Sequence, residues 1–199
     1  RQITNNGCLP LLNAYRTGPK GISEKCKSIS NKLEMEIEKK SSLHAVILAA
    51  SWASGSKELT NPDHPSLSIK SSELVFSEAL NLTVDKILSR GLKLIIVSEV
   101  PRYHTNPAKC LFNSNSENCN KRLVDHELET QFITTTFDKV SKKYPSIVFI
   151  DPKSVFCNTE NCTPFLPSGR LAYFDTNHLN YKGALELSEI LVDKIIPLL

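Results

Sequence analysis

No apolar stretch in this 199-residue chain approaches the roughly 20 residues that a membrane-spanning helix needs. The longest, Ala45 to Ala50 and Leu92 to Val97, suit strands instead. Like charges form no block. Lys and Arg total 24 against 21 Asp and Glu, the net charge of +3 is spread along the chain, and nucleic-acid binding gains no support. Neither a basic nor an apolar leader opens the sequence, which starts in mid-pattern with Arg1-Gln2-Ile3-Thr4. Those four residues read as the end of a strand, so further chain is expected upstream. Close Cys-x-x-Cys pairs are absent, as are Cys and His at ligand spacing, and neither a metal nor a cofactor is expected.

The chain does carry six cysteines, in three local pairs: Cys8 with Cys26, Cys110 with Cys119, and Cys157 with Cys162. Six cysteines permit fifteen connectivities, and short loop closure favours this sequential one. Disulfides place the chain in an oxidising compartment.

Hydrophobic residues make up 40% of the sequence, enough for one substantial core, and a single domain over residues 1–199 is expected. From Ile22 to Lys40, Cys26, Ile29, Leu33 and Ile37 recur at helical spacing among Lys and Glu. His44 to Ala50 is a short continuous apolar run, as in a strand covered on both faces of a parallel sheet. Ser68 to Ser89 carries Phe76, Leu80, Val84, Ile87 and Leu88 at helical spacing, with Gly91 placed as a C-cap. Leu92 to Val97 reads as the next strand. Lys121 to Lys143 reads as a helix with Val124, Leu128, Phe132, Ile133, Phe137 and Val140 on its stripe, and Pro145 ends it. Ser146 to Ile150 follows as a strand, and Gly183 to Ile196 as a last helix. Strands alternating with long helices indicate a three-layer α/β sandwich around a central parallel, flavodoxin-like sheet. Ligands then bind at the carboxyl ends of its strands.

The segment Tyr173-Phe174-Asp175-Thr176-Asn177-His178-Leu179-Asn180-Tyr181-Lys182-Gly183-Ala184 leads from an aromatic turn into that last helix. A carboxylate beside one imidazole nitrogen fixes the tautomer, and the other nitrogen is left to take a proton from a hydroxyl. A bare Asp-x-x-His is more often a turn aspartate near a loop or cap histidine. The surrounding sequence favours chemistry. Asp-x-x-His-Leu followed by Gly-Ala at a C-terminal helix resembles the ending of SGNH hydrolases, in which Asp and His complete a triad with an N-terminal Ser.

Three further segments extend the likeness: Thr4-Asn5-Asn6-Gly7-Cys8-Leu9-Pro10-Leu11-Leu12, Val46-Ile47-Leu48-Ala49-Ala50-Ser51-Trp52, and Val100-Pro101 with Asn106-Pro107-Ala108-Lys109-Cys110-Leu111. With them the chain resembles the SGNH domains fused to the C-terminus of bacterial membrane-bound sugar O-acyltransferases, which modify surface polysaccharides such as lipopolysaccharide O-antigen. The resemblance implies catalytic Asp175 and His178, a saccharide acceptor, and an acyl donor delivered by a membrane acyltransferase domain of the same polypeptide. It also implies a periplasmic domain of an inner-membrane protein.

Two departures qualify the likeness. The family's Gly-Asp-Ser block after the first strand does not occur here, so that strand and its nucleophile are expected upstream of Arg1. Where SGNH hydrolases bring an Asn to the oxyanion hole, this chain has Ser51-Trp52 after a strand. Backbone donors can serve there, and Trp52 is either an acyl-pocket wall or simple packing. Ser51 and Ser54 lack the tight elbow of a nucleophile. Arg102 follows a strand that ends near the expected site and could meet a sugar or a carboxylate, although a solvated loop arginine is the commoner role. His126 reads as a helix-surface residue. Three functions stay open: acetyl transfer to a polysaccharide hydroxyl, esterase or deacetylase action through the same triad with water as acceptor, and a catalytically inert glycan-binding or scaffold module. A Gly-Asp-Ser segment upstream would exclude the last.

Overall fold

A computed structural model describes residues 2–3, 7–18, 21–39, 43–64, 68–112 and 119–196. Gln2 and Ile3 belong to neither helix nor strand, and Arg1 and Thr4 to Asn6 lie outside the described residues. An antiparallel pair, β1 (Tyr15–Gly18) and β2 (Gly21–Ile22), leads into α1 (Glu24–Lys39), which buries Cys26, Ile29, Leu33 and Ile37 as its periodicity predicts. Next come β3 (Ala45–Ala49), the single turn α2 (Trp52–Gly55) and β4 (Leu59–Thr60), which pairs with β1. In α3 (Ile69–Ser89) the Ser68 hydroxyl caps the first turn by accepting from the Ser71 amide at 3.1 Å. Gly91, at φ +69°, turns the chain out of that helix.

β5 (Lys93–Val97) runs parallel to β3, with Ala45 opposite Lys93 and Ala49 opposite Val97. After a 3-10 turn at Pro107–Phe112 come β6 (Lys121–Arg122), α4 (Leu123–Lys143) and β7 (Val148–Ile150). β7 completes a three-stranded parallel sheet in the order β3-β5-β7, flanked by helices. The last elements are α5 (Lys153–Phe156), β8 (Asn161–Cys162), which pairs with β6, and α6 (Tyr181–Ile195). Disulfides join Cys8 to Cys26, Cys110 to Cys119 and Cys157 to Cys162. Among the described residues, no helix is long and apolar enough to cross a membrane.

Two compact units divide the chain: Arg1–Val97 with Phe132–Phe149, and Ser98–Gln131 with Ile150–Leu199. The first holds a large apolar core in which Leu94 and Ile96 of β5 meet Leu48, Phe76, Leu80 and Phe137. Trp52 packs edge-on against Phe76 and Phe137, with ring centroids 6.3 and 5.4 Å away.

Three expectations need correction. β5 is covered on both faces, since Ile95 points opposite to Leu94 and Ile96 and is equally buried. β3, at one edge of the sheet among the described residues, is covered on one face only, since Leu48 is buried and Ile47 is 51% exposed. On α4, Val124 and Leu128 face solvent, whereas His126 is only 4% exposed. The buried stripe of Ile133, Phe137 and Val140, counted back two turns, lands on His126. Finally, α6 begins at Tyr181 instead of Gly183, because Asn180 caps it.

Candidate active site

Asp175 and His178 lie on a tight turn in the second unit. Tyr173 bridges Leu179 in antiparallel fashion, and the Phe174 amide donates to the His178 carbonyl at 2.8 Å, closing a loop over residues 175–177. Inside it, Asp175 Oδ1 accepts from the amides of Asn177 (2.9 Å) and His178 (2.8 Å). This is the local bonding that makes aspartate a turn former. The second oxygen, Oδ2, lies 2.8 Å from His178 Nδ1. The two backbone N–H groups, and after them the His178 imidazole, hold the Asp175 carboxyl at about 2, well below its ordinary 3.8.

An ionised carboxylate only accepts, so the contact favours the tautomer with its proton on Nδ1, which leaves Nε2 to accept a proton. The His178 side chain is 62% exposed, so Nε2 has room to receive a hydroxyl proton.

Asn180 fastens the turn to α6. Its Oδ1 accepts from the Gly183 amide at 2.7 Å, and its Nδ2 donates to the Leu171 and Tyr173 carbonyls at 2.8 and 3.3 Å. Gly183 permits the close approach, because a Cβ there would stand 2.2 Å from the Ala172 carbonyl oxygen. Below the turn, the buried Tyr173 ring meets Tyr103 and Phe156 at 5.0 and 5.6 Å. Its hydroxyl donates to the Pro101 carbonyl, and the Tyr103 amide donates to the Thr176 carbonyl, each at 2.8 Å. Burial pushes the Tyr173 and Tyr103 hydroxyls far above the ordinary phenol range, so both stay neutral. Asn180, Tyr103 and Pro101 escape sequence reasoning as site-forming residues. Of these, Asn180 stands where a helix cap belongs, and Pro101 lies in a segment that carries the family likeness.

Arg102 belongs to the same unit and is exposed between Pro101 and Tyr103. Ser51 and Trp52 belong to the other unit. Ser51 is exposed, and its carbonyl accepts from the Gly55 amide at 2.8 Å. Trp52 is fully buried, and its indole N–H donates to the Val97 carbonyl at 2.8 Å. Its contacts are those of a core residue that ties α2 to the end of β5.

No curated protein matches the chain. Among solved structures, the periplasmic domain of a lipopolysaccharide acetyltransferase from Salmonella ser. Paratyphi A has a similar fold. Its TM-score is 0.62 at 19% identity, over 94% of this chain and 68% of that one. The family model for the SGNH domain fused to AT3 domains matches residues 1–193. The chain therefore belongs to the SGNH domains that are fused to AT3 domains.

Proposed function

We propose that this chain supplies the acid–base pair of an O-acetyltransferase that modifies a cell-surface polysaccharide, with a serine nucleophile carried by polypeptide upstream of Arg1. The observation that carries the proposal is the contact of Asp175 Oδ2 with His178 Nδ1 at 2.8 Å, on a carboxylate already fixed by two amides. In the first half-reaction His178 Nε2 takes the serine proton as Oγ attacks the acetyl carbonyl, and the donor leaves with that proton. In the second, Nε2 takes a proton from a sugar hydroxyl, which attacks the acyl-enzyme and returns the serine. Asp175 stabilises the imidazolium at both stages without itself being protonated.

The surroundings of the pair suit a saccharide acceptor. Phe174 and Tyr181, on either side of His178 in sequence, are 72% and 81% exposed, as rings that stack on sugar faces must be. The exposed Arg102 is the candidate for a polar contact with the acceptor. The three disulfides fit a periplasmic setting, and an AT3 domain in the same polypeptide would deliver the donor. The 62% exposure of His178 favours a second reading, since water reaches an open imidazole as readily as a sugar and would make the same pair a carbohydrate esterase.

The test is acetyl transfer to polysaccharide, and hydrolysis of p-nitrophenyl acetate, by the entire polypeptide and its His178→Ala variant. Both activities should fall roughly 10⁴-fold. Transfer without hydrolysis selects the transferase, and hydrolysis alone the esterase. Equal rates for the two proteins would reduce the domain to a glycan-binding module.

A further inference from the structure

Lys121 in β6 has a side chain only 3% exposed. Removing an ammonium from water costs several kcal/mol unless its donors find acceptors. Its Nζ is paired with Glu129 of α4 and donates to the Arg102 carbonyl at 2.9 Å. His126 is buried nearby, with its Nδ1 unpartnered. Burial, and then the Lys121 charge, hold that imidazole below its ordinary value, so it stays neutral and adds no second cation to compete for Glu129.

Arg102 is the middle of a three-residue strap with neither helix nor strand structure. The strap's outer residues hold the turn of the site. Pro101 accepts the Tyr173 hydroxyl, and Tyr103 donates to the Thr176 carbonyl, which lies inside the loop between Asp175 and His178. All three strap residues are thus bonded, two toward the turn and one toward Lys121. The backbone of Lys121 is in turn fixed, because β6 pairs Lys121 with Cys162 of β8 and Cys162 is disulfide-bonded to Cys157.

We infer that Lys121 is a positioning residue for the Asp175–His178 pair. Its buried ammonium grips the Arg102 carbonyl and so fixes the strap that holds the turn. The inference rests on the acid–base reading of that pair, but it can be tested by readouts that need no activity.

In wild type, the His178 ring nitrogens, read through the ring's carbon-bound protons, should show a protonated-Nδ1 resonance that is absent from Asp175→Asn. Lys121→Met, whose side chain has similar length without charge, should keep the circular dichroism spectrum. It should broaden or abolish the Nδ1 resonance and speed exchange of the Tyr103 amide by on the order of tenfold or more. Lys121→Arg, which restores the cation, should recover both signals. Should Lys121→Met fail to fold, Glu129→Gln carries the same readings, since loss of the charge partner loosens the ammonium. An unchanged Nδ1 resonance and unchanged Tyr103 exchange in a folded variant would overturn the inference. A His178→Ala protein as active as wild type would overturn the acid–base reading while leaving those signals interpretable.

Discussion

The core of the first unit and the turn around Asp175 and His178 in the second are held in different ways. The first is an apolar core, with Trp52, Phe76 and Phe137 edge to face and the side chains of β5 buried on both faces. Around Asp175 and His178, the second depends on directed polar bonds: two amides on one carboxylate oxygen, three bonds from one asparagine, and a buried lysine on a carbonyl. Apolar packing is adaptable in its details, so it can carry stability. Hydrogen bonds are directional and confined to a narrow range of distance and angle, so they can carry geometry.

Phe76→Ala, which truncates a fully buried ring, should produce the largest effect: a loss of about 3–5 kcal/mol in urea unfolding. The Nδ1 resonance of His178 should persist in whatever fraction stays folded. Disappearance of that resonance ahead of unfolding would break the contrast. Gly183→Ala should cost less, about 1–3 kcal/mol, because its methyl meets the Ala172 backbone instead of an adjustable side chain. It should nonetheless abolish the resonance, and a variant that retained both stability and signal would show that the turn tolerates displacement.

The smallest effect is on pH dependence. Asp175 titrates lower in the folded chain than its ordinary 3.8, so its contribution to stability is complete above about pH 4 and is lost as pH falls through about 2. A carboxyl-carbon NMR titration should place its midpoint near 2. A midpoint near 4 would mean that the two amide bonds do not persist in solution.

How far the sequence could be read follows the same division. Helices α1 and α3 and strand β5 follow from apolar spacing, since one buried stripe or one apolar run specifies each of them. The exposed Ile47 of β3 was not foreseeable, because an apolar run does not record whether both faces of its strand are covered within the chain. Asp175 and His178 were legible as a pair because they are three residues apart, so local chain geometry brings them into contact. The supports of the turn were not. The bond from Tyr173 to Pro101 spans 72 residues and that from Lys121 to Arg102 spans 19, and no periodicity announces either. The burial of His126 was recoverable, had the phase of the stripe been set from Ile133, Phe137 and Val140 instead of from Val124.

The disulfides bear on how such a protein is made. They close loops with sequence separations of 18, 9 and 5 residues. In an unfolded chain, cysteines so near one another meet far more often than those a hundred residues apart, so the native partner of each is also its most frequent encounter. Oxidation can then proceed locally as the polypeptide emerges into its compartment, with little need to reshuffle distant pairs after collapse. Each short loop removes somewhat less entropy from the unfolded chain than a long one would, because the loss grows only with the logarithm of loop length. Each bond also acts as a clasp on its own loop. The Cys157–Cys162 clasp closes on β8, the strand that pairs with Lys121.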